Sequence, residues 1–139
     1  MNHQSESGAI EKIAWIALHN RKLLSTRSRG KNVYYIPGGK REGAESDSQA
    51  LTREIREELS VELNSASLQF EGIFTAQAHG KAEGVQVRMI CYSGDYVGTL
   101  HANSEVEEFI WLTYRDRSRV SPVDKIIFDW LRVQNRIAD

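Results

Sequence analysis

Hydrophobic positions along this chain fall into two rhythms, and the rhythms divide it into strands and helices. Residues 10–19 (IEKIAWIALH) are short and rich in β-branched and aliphatic side chains, the composition of a buried strand. Asn20-Arg21 reads as a turn into a second strand at 22–26, and 28–32 reads as a loop before a short strand at 33–36. Pro37-Gly38-Gly39 breaks that strand, and glycine there lets a ligand approach the main chain. Two further strands are expected at 68–79 and 85–96, joined through a glycine-bearing loop, with another at 108–113.

Between them the spacing turns helical. Ser46 with Gln49 three residues on forms a capping box, Glu45 and Asp47 place negative charge at the positive end of the dipole, and Leu51, Ile55 and Leu59 form the buried stripe. Ser60 stands where a helix-ending glycine would be comfortable, and a left-handed serine there costs roughly 1 kcal/mol. A last helix starts at Ser121-Pro122 and carries apolar positions from Val123 to Ile137. Strands, helix, strands, helix is an α/β or α+β pattern.

Length changes little in this picture: 139 residues make one domain spanning 1–139, with residues 1–8 polar and expected to be flexible. A net charge of −1 gives no reason to expect nucleic-acid binding, which leans on clustered positive charge. No run approaches the ~20 apolar residues of a membrane helix, and the N-terminus lacks a signal peptide's apolar run. The lone Cys91 sits in an apolar strand and reads as core filler. A cytoplasmic location is expected from these features.

The chemistry concentrates in residues 39–61. Glu54, Glu57 and Glu58 stand at i, i+3 and i+4, which brings three carboxylates onto one helical sector facing outward, away from the apolar stripe. Like charges so placed repel unless a cation sits among them, and crowded hard oxygen ligands suit Mg²⁺. A solvated charged face is the ordinary explanation of an acidic run. It leaves the fixed spacing back to Gly39 and Glu45 unexplained.

That spacing resembles the Nudix box, G-x5-E-x7-R-E-U-x-E-E-x-G-U with U a bulky aliphatic. Gly39, Glu45, Arg53, Glu54, Ile55, Glu57, Glu58 and Val61 are in register, and Ser60 replaces the final glycine. The resemblance implies a mixed sheet sandwiched between helices (α/β/α) and Mg²⁺-dependent cleavage of a diphosphate linkage in a nucleotide, with Mn²⁺ as an alternative cation. Glu54, Glu57 and Glu58 would hold the metal with the Gly38 carbonyl, and Arg53 would orient the acids, through Glu45 among others. The general base comes either from the box or from a later acid; among Glu105, Glu107 and Glu108, Glu105 is favoured because it precedes its strand.

Arg27 and Arg29 are candidates for phosphate contacts, or for solvating a loop. Gly38 and Gly39 would let phosphate approach the main chain. Tyr34, Tyr35 and Phe74 are candidates for stacking on a base, or for packing, and His79 and Lys81 for the pocket rim. Signatures of the ADP-ribose, dinucleoside-polyphosphate and NADH subgroups are missing, and 23–28 (LLSTRS) matches the coenzyme A signature only faintly. A nucleoside triphosphate or modified nucleotide remains as the expected substrate. The alternatives are a nucleotide sensor without turnover, a hydrolase of this family acting on ADP-ribose, a nucleotide sugar or coenzyme A, and an isomerase. Homodimers are common in the family, but the sequence carries no interface signal that selects one.

Overall fold

The computed structural model describes residues 9–139, so the expectation for residues 1–8 lies outside the described residues. Strand β1 (Ala9–Trp15) is the centre of a four-stranded sheet. It pairs in parallel with β7 (Gln86–Ser93) and antiparallel with the two-residue β4 (Gly38–Gly39), and β6 (Gln69–Gln77) closes the far edge against β7. A second, antiparallel sheet runs in the order β2 (Leu18–His19), β3 (Lys22–Ser28), β9 (Val106–Leu112). The short strands β5 (Glu62–Leu63) and β8 (Tyr96–Val97) pair separately.

Alternation along β1 divides the core in two. Ile13 and Trp15 join the cluster beneath helix α1 (Asp47–Leu59), with Leu51, Ile55 and Leu59. Ala14 and Ile16 point to the opposite face and pack with Ile127, Phe128 and Leu131 of helix α2 (Pro122–Val133). A strand covered by helices on both sides must be apolar in both phases, which is why residues 13–17 read as an unbroken hydrophobic run. The result is a mixed sheet between helices, as the strand–helix pattern and the box together imply.

The ends of α1 follow the sequence closely. Ser46 Oγ accepts from the Gln49 amide at 3.1 Å, and Gln49 Oε1 accepts from the Ser46 amide at 2.9 Å. At the other end Ser60 is left-handed (φ 63°) and its N–H donates to the Arg56 carbonyl. Ser60→Gly is therefore expected to stabilise the protein by about 0.5–1 kcal/mol, once the greater freedom of glycine in the unfolded chain is subtracted. An unchanged or lower denaturation midpoint in urea would contradict this.

Several sequence expectations need correction. Residues 33–36 are not a strand: Tyr35 bridges only Thr26 and Tyr34 only Val120. Residues 10–19 form two strands, because the chain leaves the central sheet after Trp15 and enters the second at Leu18. Ser121 stands at the N-cap of α2 but its hydroxyl makes no capping bond. That helix also ends at Val133; left-handed Asn135 (φ 59°) turns the chain so that Ile137 reaches the core from outside it.

One irregularity bears on the site. Arg27 is paired with Glu108, whereas Ser28 is paired with Val106, so Glu107 is an extra residue on β9. This bulge lies two residues after Glu105.

Candidate active site

The bend at Pro37-Gly38-Gly39 places two glycines between β1 and α1. A Cβ on Gly38 would lie 2.0 Å from the Ile13 carbonyl oxygen, and one on Gly39 would lie 2.4–2.6 Å from the carboxyl group of Glu54. Glycine at 39 thus lets an acid of α1 lie directly against the main chain. Glu58, one turn further along α1, is 8% exposed, and the Gly38 N–H donates to its Oε1 at 3.2 Å.

Burial pushes the Glu58 carboxyl up to about 8, with the neighbouring Glu54 charge adding to the rise. Burial also raises Glu54, against the pull of Arg53. Glu105 faces the same space and raises both. The acids are not turned outward, as an amphipathic reading of the helix expects; Glu54 and Glu58 turn inward to the glycine bend. Glu57 differs: its side chain is 55% exposed against 17% for Glu54, and it lies 3.4 Å from Arg53.

Arg53 organises the edge of the site. Its guanidinium donates to both Glu45 oxygens at 2.7 and 2.9 Å, to Glu54 at 3.1 Å and to the Lys40 carbonyl at 3.0 Å. The Glu45 carboxyl is held down to about 2, chiefly by that pairing. A planar five-donor group can tie box loop and helix together where an ammonium could not.

Among the described residues, no three His, Cys, Asp or Glu side chains converge tightly enough to hold a metal on their own. Two carboxylates gathered against a glycine main chain, the charge of Glu54 raising Glu58, still form an all-oxygen donor set. That chemistry fits a hard divalent cation, with Glu54 and Glu58 as the convergent pair and Glu57 on a neighbouring, exposed position of the same helix.

These acids border a cavity of about 410 Å³ between the sheet and α2, lined among others by Lys12, Tyr35, Glu54, Glu58, Glu105 and Asp124. Three sequence candidates lie elsewhere. Arg27 donates to Glu108 and Glu107, and Tyr34 donates its hydroxyl to Glu108 while Arg119 covers its ring. Arg29 donates through its guanidinium to the Ser104 carbonyl and through its N–H to that of Glu105, so it braces the loop carrying Glu105. His79 and Lys81 do reach the cavity rim. Cys91 is fully buried and burial raises its thiol, in keeping with a packing role.

Sequence reading missed Lys12 and Asp124. Lys12 interrupts the apolar phase Ile10–Lys12–Ala14, and that charge in a core position was the available signal. Asp124 was visible only as a helix-start acid. It is fully buried, receives the Ile36 N–H at 2.9 Å, and burial pushes it up to about 7. The native state holds this proton more tightly than the unfolded chain, so its contribution to stability is full below about pH 4 and is lost as pH rises toward 7. Asp124→Asn is expected to remove that loss and to gain stability over wild type at pH 8 but not at pH 4. Equal gains at both pH values in urea titrations would contradict it.

Comparison with known proteins agrees with this geometry. The NUDIX domain model matches residues 11–131, and the chain belongs to that family, whose hydrolases act on nucleoside diphosphates linked to another group. The solution structure of the E. coli ORF135 protein is similar at 26% identity, with TM-score 0.69 over 94% of this chain and 95% of that one. A MutT NUDIX hydrolase from Burkholderia pseudomallei (18%, TM-score 0.72, 87% and 96% covered) and a MutT protein from Methanosarcina mazei (18%, 0.72, 91% and 95%) share the fold. No curated protein sequence matches the chain. No helix among the described residues is long and apolar enough to cross a membrane.

Proposed function

We propose that the protein hydrolyses a diphosphate linkage in a nucleoside triphosphate or modified nucleotide, dependent on Mg²⁺ or Mn²⁺. The observation that carries this is the convergence of Glu54 and Glu58 on the Gly38–Gly39 main chain at the mouth of the cavity. Glu54, Glu57, Glu58 and the Gly38 carbonyl would hold the cation. A cation there would neutralise phosphate charge and favour deprotonation of the attacking water.

The chain's own residues do the rest. The cavity takes the nucleoside and leaves the diphosphate at its acidic end. Arg53, anchored by Glu45 and the Lys40 carbonyl, donates directly to Glu54 and fixes it. Glu105, whose loop Arg29 braces and whose charge acts on Glu54 and Glu58, would accept the proton of the attacking water. Positioning and electrostatics supply most of the rate in such phosphorus chemistry.

The test is a phosphate-release screen, with and without Mg²⁺, over ordinary and oxidised nucleoside triphosphates, nucleotide sugars, ADP-ribose, NADH, coenzyme A and dinucleoside polyphosphates. Cation-dependent release of pyrophosphate or orthophosphate from a triphosphate is expected. Binding without product, or rearrangement without phosphate loss, refutes the reading.

A further inference from the structure

The cavity contains two charged groups that the hydrolytic reading does not use. Lys12 leaves β1 on the face shared with Ala14, stands opposite Met89 of β7 and lines the same cavity as the start of α2. Its ammonium has no hydrogen-bond acceptor or ion-pair partner among the described residues; it lies 5.9 Å from the centre of the Tyr35 ring. Asp124 faces the same cavity from α2. Its Oδ2 takes the Ile36 N–H, while its buried Oδ1 makes no hydrogen bond of good geometry and has the Ser121 hydroxyl as its weak neighbour. Burial chiefly lowers the Lys12 ammonium, helped by Lys40 and Lys81, while Asp124 and Glu58 favour its charged form. Ala14, Val87, Met89 and Val123 supply apolar wall to the same cavity, which Lys40, Glu58 and Lys81 also line.

A half-buried donor without an acceptor and a fully buried acceptor with only a weak partner, facing one cavity, are both short of water, which is costly until something answers them. The answering molecule must be flat and largely apolar, with an acceptor and a donor side by side on one edge. A nucleobase edge has that form. An ammonium is a compact point charge, and it is met best by a carbonyl oxygen, which carries more negative charge than a ring nitrogen and offers two lone pairs.

We infer that Lys12 and Asp124 select a nucleobase whose edge sets a carbonyl oxygen beside a ring N–H, as guanine, hypoxanthine and uracil do and adenine and cytosine do not. Lys12 donates to the carbonyl, and Asp124 Oδ1 accepts from the N–H. This rests on the nucleotide reading above and narrows it to oxo-bases.

Binding of GMP, UMP, AMP and CMP, measured by ¹H–¹⁵N chemical-shift titration without divalent cation, tests this apart from turnover. Wild type is expected to bind GMP and UMP about tenfold or more tightly than AMP and CMP. Lys12→Met, which preserves the stem and removes the charge, should collapse that preference, and Asp124→Asn should weaken it. Three results overturn the inference: no binding of any monophosphate, equal binding of all four by wild type, or a preference that survives Lys12→Met. An equal loss across all four bases in Lys12→Met also overturns it, because it places the ammonium on the phosphate. If the ranking holds but no triphosphate is cleaved, the hydrolytic reading fails and this one stands.

Discussion

Glu58→Gln is expected to lower turnover roughly a thousandfold, about 4 kcal/mol of transition-state stabilisation, without lowering stability. The two effects part because of where Glu58 sits. Its carboxyl is 8% exposed, is pushed up to about 8 chiefly by burial and faces a second acid, so as an anion it costs the fold free energy. Glutamine keeps an oxygen for the Gly38 N–H and offers an amide to Glu54, relieving the repulsion. What it loses is an anionic oxygen ligand for the proposed cation.

The pH dependence follows from the raised carboxyl. Its penalty is small below about pH 4 and grows as pH rises through 8, so the stability gain of the variant should be larger at pH 9 than at pH 5. Phosphate release and urea midpoints at the two pH values decide it. Activity within tenfold of wild type removes Glu58 from the cation site. Glu57→Gln is expected to lose turnover as well, with no stability gain, because that side chain is exposed.

Alanine at the two glycines is the second large contrast. At Gly39 the new methyl meets only the end of a flexible side chain, the Glu54 carboxyl at 2.4–2.6 Å. The backbone can stay while Glu54 moves, so activity should fall about a hundredfold, as misplacement of a reacting group by an ångström does, with little change in unfolding free energy. At Gly38 the methyl meets backbone, the Ile13 oxygen at 2.0 Å and the Ala14 Cα at 2.8 Å. The β4–β1 pairing must then separate, and a loss of about 3 kcal/mol or more is expected. Comparable stability losses in both variants would mean that Glu54 is not free to yield, and would undo the argument.

The features legible in the sequence are those whose cause is local. The capping box at Ser46, the stripe Leu51–Ile55–Leu59 and the left-handed Ser60 depend on residues within a turn or two, and each appears as read. The inward turn of Glu54 and Glu58 was not legible, because it depends on two glycines brought alongside the helix by strand pairing. Arg27 and Tyr34 misled for the same reason: their partner Glu108 lies 81 and 74 residues away in sequence. Residues 33–36 have the composition of a strand but find only single bridges, so tertiary context overrides propensity there. The cavity's charged pair joins β1 to α2 across most of the chain, and no local pattern announces it.

The supernumerary Glu107 gives β9 one residue of slack against β3. Side chains alternate along a strand, so this single insertion decides which way everything upstream of it points. Deleting Glu107 would let the pairing run on regularly past Arg27, exchange the inward and outward sides of Val106 and Glu105, and swing the third acid out of the cavity while the helix acids stay in place. The aim of Glu105 is thus set by a count of residues in a neighbouring strand pair, which makes it the easiest part of the site to retune without touching the box.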